Sequence, residues 1–368
     1  MSINCTRCEL CGSAASIYAP GSFIHFTLLL RVIVEPVCIL GISLLSIAIV
    51  YTKLLHVNAR LLLLGITISM IICNIGVLIE ALYTIVVSFV IPEDARCDFQ
   101  VFTPTACYRL RAVYVIGGMG LAVSTILLAI ERAVATILFK SYEKIAHAWF
   151  GVVLICIQAA SGILIYFSLE MPRTLPYCSF ELNNGPDTMM TGHFLEGINI
   201  AALFVFGILW LINRCRTKTL VDSQLRVLST RYQLKENIST TRLMIPIMII
   251  FLIMTTSAEI VYKLSLPMIT METVITSNVL RQIEDYAPYS EFQITLMPIL
   301  TIMMIVLLPM FSVHIKRSFF RLTRIDRFLP ETSHHNVDIV TVDEARDLYF
   351  EKLQGQWHEK PTIPRSNS

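Results

Sequence analysis

Residues 112–139 read AVYVIGGMGLAVSTILLAIERAVATILF, an apolar run broken only by the pair Glu131-Arg132 near its end. A segment needs roughly 20 such residues to cross about 30 Å of hydrocarbon. Six further runs of this kind flank it: Phe26–Tyr51, Leu61–Ile91, Ala148–Leu169, Phe194–Ile212, Leu243–Leu266 and Phe292–Ile315. Within lipid the backbone polar groups of such segments must be satisfied internally, by a helix or by a closed barrel. The runs are far too long for barrel strands, so the expected fold class is an all-α membrane protein, a bundle of seven transmembrane helices.

Composition agrees with this reading. Hydrophobic residues make up 55% of the 368 and charged residues only 15%, with a mean hydropathy of +0.67. A soluble domain cannot keep that much apolar surface from water. The net charge of +2 is too small to point to a nucleic-acid partner. No pair of short, Gly/Pro-broken segments recurs in two halves, so an inverted-repeat transporter gains no support.

Lysine and arginine in the connecting segments set the orientation. Seventeen fall on one side, in the stretches around Lys53, Lys140, Arg216 and Lys316, against eight on the other. The heavier side is expected in the cytoplasm. Residues 1–25 then form an extracellular amino terminus, 26–315 the bundle and 316–368 a cytoplasmic tail. Asn4-Cys5-Thr6, a glycosylation acceptor, lies on the expected outer side; Asn237-Ile238-Ser239 has the same form but would lie inside. After the seventh run, Lys316 to Phe328 interleaves basic residues with Phe319, Phe320, Leu322, Ile325 and Phe328, the pattern of an amphipathic helix lying in the inner interface. Further on, Tyr349, Phe350, Leu353 and Trp357 share one helical face.

The third run also places chemistry at its two ends. Twenty-five residues separate Cys107 from Arg132, about 37 Å of helix and so one bilayer with its interfaces. Cys178 lies in the next segment on the Cys107 side. A Cys107–Cys178 disulfide is the expected pairing, with Cys97 as a rival partner and two free thiols as the alternative.

A cysteine at one end of the third helix, an acidic-Arg pair at the other and a partner cysteine in the second outer loop resemble rhodopsin-like receptors. In more detail, Glu131-Arg132-Ala133-Val134-Ala135-Thr136 followed by Ser141-Tyr142-Glu143 is similar to the ER-x-x-AT…YE signature of nematode serpentine chemoreceptors. His56-Val57-Asn58 resembles the HxN element of that group, the Sra superfamily, and Arg231 to Asn237, RYQLKEN, resembles its RYQxxEN element. The long tail resembles class epsilon first, with the alpha, ab and b classes as alternatives. The resemblance implies a G-protein-coupled chemoreceptor in the plasma membrane, in sensory cilia if the family pattern holds. Its partners would be a small external chemical and a heterotrimeric G protein. It further implies that Glu131 and Arg132 control coupling. Tyr232 to Arg242 is expected to continue helix six into the cytoplasm and to present Arg231, Lys235 and Arg242 to an acidic partner or to anionic lipid. Three departures from the rhodopsin-like pattern bear on the mechanism: Ala133 follows the arginine, helix six has no CWxP element, and Leu308-Pro309-Met310-Phe311 stands where NPxxY is expected.

Acids within membrane segments are costly and usually functional. Glu35, Glu80 and Glu259 fall in the outer halves of their runs, and Glu196 lies beside His193 at the start of the fifth. With Tyr114 and Met119 they form the candidate ligand pocket. The alternative pairs Glu35 with Arg31 one turn earlier. No cofactor, metal set or enzyme motif is found, so an enzyme is not expected. A channel would need a polar stripe through the bilayer, which the aliphatic inner halves do not provide. A structural or escort protein of the membrane is the remaining rival.

Overall fold

The computed structural model describes residues 7–52, 55–138, 148–168, 173–183, 185–222, 228–267, 269 and 273–324. Asn4, the segment Ser141-Tyr142-Glu143 and the tail aromatics lie outside the described residues.

Seven helical spans are long and apolar enough to cross a membrane. The first helix, α1, covers Arg7–Ile17 and precedes them. The spans lie in α2 (Phe23–Tyr51), α3 (Val57–Phe89), α5 (Pro104–Ile137), α6 (Ala148–Ser168), α8 (Gly185–Asp222), α9 (Leu228–Ser265) and the pair α10 (Ser277–Ile294) and α11 (Leu296–Phe311). Short helices α4 (Glu93–Gln100) and α7 (Phe180–Asn183) sit in connections, and α12 covers Val313–Thr323. Large apolar side chains face outward along the spans, including Val37, Leu40, Phe204, Ile253 and Leu264. An outward belt of this kind is stable against lipid and not against water.

Local sequence sets the ends. Ser22 caps α2 by accepting from His25 N–H, and His56 caps α3 by accepting from Asn58 N–H through Nδ1. Thr103 accepts from Ala106 N–H, with Pro104 in the first turn of α5, where its missing N–H costs nothing.

The seventh span corrects the sequence reading. Hydropathy starts it at Phe292, whereas the helix begins at Ser277 and carries Glu291 inside the bundle. Arg281, Glu284 and Asp285 lower the local hydropathy and hide the helix from a hydrophobicity criterion.

Two apolar clusters divide the core. One, toward the Arg132 end, is built from Ile42, Leu62, Met70, Leu128, Phe206 and Met248 with their neighbours. The other, toward Cys107, contains Ile17, Phe102, Cys107, Tyr177, Ile283 and Tyr286. The first also takes in Ile315 and Phe319 of α12. The amphipathic helix expected from Lys316 to Phe328 therefore begins at Val313, spends part of its apolar face on the protein core and ends at Thr323. Ile325 and Phe328 lie outside the described residues.

Helices α3 and α5 approach closely because two glycines permit it. A Cβ on Gly117 would overlap the backbone of Cys73, and one on Gly76 would overlap the backbone of Tyr114. Small residues bring membrane helices into such backbone contact. Gly118, the next residue, faces open space. Gly117→Ala is therefore expected to cost about 1–3 kcal/mol through overpacking, while Gly118→Ala is expected to leave stability unchanged or slightly raised. Melting temperatures of the two variants in one detergent check this, and equal values would contradict it.

Candidate functional site

At one end of the bundle Arg132 is 1% exposed. A lone guanidinium cannot be kept there, and its neighbours supply the compensation. Nε and Nη2 reach the two oxygens of Glu131, the second at 2.5 Å. Nη1 donates to Asn237 Oδ1 of α9 at 3.2 Å. The Asn237 amide in turn donates to the Ala135 carbonyl at 3.4 Å, so one asparagine clasps α5 on both sides of a helical turn. From α8, Asn213 donates to Thr136 Oγ1 at 3.0 Å and Arg216 donates to the Thr136 carbonyl at 2.6 Å. Arg132, Ala135 and Thr136 of ER-x-x-AT thus contact α8 or α9, and Glu131 holds the arginine.

The other two motif elements serve the same region. Asn58 accepts from Gly151 N–H at 3.2 Å and ties α3 to α6, and Asn237 is the closing residue of RYQLKEN. In the sequence Asn237 stands out only as the last letter of RYQLKEN and as a sequon expected to stay unmodified, and nothing marks Asn213. Arg242 is exposed on α9, and the side chains of Arg231 and Lys235 lie outside the described residues.

The Cys107 end holds a second polar cluster. Cys107 and Cys178 form a disulfide, and Cys11 pairs with Cys97. The latter bond ties α1 to α4. The chain around Cys178 is drawn into the mouth of the bundle: Phe102 and Leu175 form an antiparallel bridge, and Tyr177 is 1% exposed. Its hydroxyl donates to Glu291 Oε1 at 2.8 Å. Burial, reinforced by the Glu291 charge, pushes the Tyr177 phenol well above its ordinary pKa, which keeps it a donor.

Glu291 is the hub. Arg31 Nη1 lies 2.5 Å from its Oε2, and Arg31 also donates to its carbonyl and, at 3.1 Å, to Thr295. Arg111 pairs with Glu80 at 2.5 Å, lies 3.7 Å from Glu291 and donates to the Cys178 carbonyl at 2.8 Å. Two arginines and two glutamates, all buried, thus neutralise one another across α2, α3, α5 and α10. Nearby, Tyr262 donates to Glu181 at 3.0 Å and accepts from Gln293 at 3.0 Å.

The residues expected to line one pocket fall into two groups. Glu80 belongs to the arginine cluster, and Tyr114 and Met119 pack beside the apolar residues around it. Glu196 and Glu259 lie instead between α8 and α9, where Glu196 accepts from Thr256 at 2.6 Å and Glu259 faces His193 at 2.8 Å. Glu35 is fully buried, and neither of its carboxylate oxygens has a hydrogen-bond partner among the described residues. Arg31 turns to Glu291 and not to Glu35, contrary to the helical spacing, because Glu291 offers both a carboxylate and a carbonyl. Nothing local marks Glu291, Arg31 and Arg111 as partners: Glu291 and Arg111 fall just outside the apolar runs, and Arg31 has Glu35 at the nearer helical spacing.

The family model of the serpentine type 7TM GPCR receptor class ab chemoreceptors matches residues 10–357. The chain belongs to this family. Within the superfamily expected from the motifs, class ab is thus the class whose model matches, where the tail had put epsilon first. Two Caenorhabditis elegans relatives are similar. Serpentine receptor class alpha/beta-14 is 27% identical over 197 residues, 52% of this chain and 50% of that protein. Serpentine receptor class epsilon-2 is 31% identical over 122 residues, 31% of this chain and 29% of that protein. The matched stretches thus span about half the length of the first relative and under a third of the second. The members are receptors, and the seven spans make this chain a multi-pass membrane protein.

Proposed function

We propose that the chain is a chemosensory receptor that recognises a small chemical at its Cys107 end and activates a heterotrimeric G protein at its Arg132 end. The carrying observation is the buried contact of Arg132 with Glu131 and Asn237. It joins α5 to α9 through the Arg132–Asn237 hydrogen bond, which with the Asn237–Ala135 contact an outward movement of α9 would break. A charged donor held so is the kind of two-position element that signalling requires. Once released, the guanidinium faces the cytoplasmic partner.

The basic segments around Arg216 and Lys316 support an inside location for the Arg132 end. Arg31 and Arg111, two of the eight basic residues counted on the lighter side, are buried helix residues. Removing them leaves the asymmetry at least as steep. The ligand-facing groups are those at the disulfide-bearing mouth, with Glu181, Tyr262 and Gln293 as its polar lining. The Arg31–Glu291 and Arg111–Glu80 pairs form its floor. The core around Met70, Leu128 and Met248 is apolar, which offers an ion no polar path and speaks for a receptor over a channel.

A panel of small volatile and water-soluble chemicals, applied to cells carrying the chain and promiscuous G proteins, tests this. The expected result is a calcium or cAMP response to at least one compound. A response that persists undiminished without any added G protein would contradict the coupling.

A further inference from the structure

His193, Glu196 and Glu259 lie at the Cys107 end of α8 and α9, apart from the arginine cluster. We propose that they bind a transition-metal dication of the zinc type, which clamps the two helices together. The proposal does not rest on the receptor reading. One ligand atom from each residue lies within 4.8 Å of the other two. His193 and Glu196 are three residues apart and so share a face of α8, and Glu259 comes from α9. His193 Nδ1 and Glu259 Oε2 are already 2.8 Å apart, against about 3.3 Å for two ligands of one tetrahedral zinc. A movement of about half an ångström between His193 and Glu259, and of up to about 1.5 Å for Glu196, admits the ion.

A second observation points the same way. Glu259 is 6% exposed, and its Oε2, shielded from solvent and aimed at His193, accepts no hydrogen bond among the described residues. Buried and facing the His193 imidazole, this carboxylate oxygen sets two metal-type donors side by side. Gly192 completes the arrangement: a Cβ there would overlap Glu259 Oε1, so the glycine is what lets the carboxylate lie against α8. The His193 side chain is 46% exposed and gives an ion its entry path.

The donor set selects the metal. One imidazole with two carboxylates suits zinc and its neighbours, whereas calcium and magnesium take all-oxygen shells. Three protein ligands leave a fourth position for water or for a coordinating group of another molecule. Occupied, the site would hold α8 and α9 in their present spacing.

The test uses the purified full chain in nanodiscs, stripped of metal with a chelator. Zinc is expected to raise the melting temperature in a concentration-dependent way, and magnesium is not. His193→Ala, a change at an accessible position, and Glu259→Gln are each expected to weaken the zinc effect by about tenfold or more. Cobalt should give a visible absorption band in the unmodified chain that His193→Ala loses. The absence of a zinc-dependent shift would overturn the proposal. So would a shift and a cobalt band equal in the chain and in His193→Ala, because the metal would then lie elsewhere, for example on Cys8 and its neighbours.

Discussion

Glu291→Leu is expected to remove nearly all folded protein from the cell surface. Glu291 is 2% exposed and Arg31 is 0% exposed, and the carboxylate also receives Tyr177 and lies near Arg111. Leucine would fill much of the space and leave Arg31 with only the Thr295 hydroxyl and a backbone carbonyl. Breaking a buried pair from one side costs about 3–5 kcal/mol, because the remaining charge is uncompensated. Against a total stability of about 5–15 kcal/mol, that loss is decisive. Asp285→Asn, at an exposed position of the same helix, is the control and should be neutral. Surface labelling relative to total protein measures both. Equal surface levels for the two variants would show that the cluster does not hold the fold. Removing the other partners as well should be milder than removing one. A variant with Arg31 and Glu291 both replaced by apolar residues is therefore expected to recover part of the loss.

The second large effect is on signalling. Arg132→Ala is expected to reduce a ligand-evoked response to background at matched surface density. Glu131 would then be a buried carboxylate without its bidentate partner, so stability falls as well. The double variant Glu131→Ala/Arg132→Ala removes both charges and separates the two effects: it should restore surface level and remain silent. Arg132→Lys keeps the charge but loses the planar fork that spans two carboxylate oxygens, and an intermediate response is expected. A double variant that signals normally would show that the arginine is a structural group only.

Much of this architecture was legible in the sequence, and the illegible parts have a common cause. The seven spans follow from uninterrupted apolar length, which is a local property. The start of helix α10 escaped because Arg281, Glu284 and Asp285 lower its hydropathy, and the partners of its buried Glu291 are far along the chain, Tyr177 (114 apart) and Arg31 (260 apart). No window along the chain contains those pairs. The same holds for Asn237, whose two partners in α5 are more than 100 residues distant. Its motif letters pointed to the right helix without saying what the amide does. Helical spacing misled for Arg31, where the i, i+4 acid was available and a distant one offered better geometry. His193 and Glu196 have a suggestive spacing, but the third donor, Glu259, comes from another helix. The described motif residues lie where helices meet: Arg132 on Asn237, Asn58 on the Gly151 N–H and Thr136 on Asn213, while Ala135 contributes its backbone carbonyl.

If Asn237 holds Arg132 in the resting bundle and the released arginine couples to the G protein, as proposed, Asn237→Ala raises basal signalling. Ligand-independent G-protein activation by Asn237→Ala, at the surface density of the unmodified chain, tests it most directly. A hydrogen bond to a charged group contributes about 1.5–3 kcal/mol, so its loss should shift the equilibrium toward the active form about tenfold or more. A basal signal raised on that scale, and abolished again when Arg132→Ala is added, is the expected result. A basal signal equal to that of the unmodified chain, with the variant folded and at the surface, would contradict it.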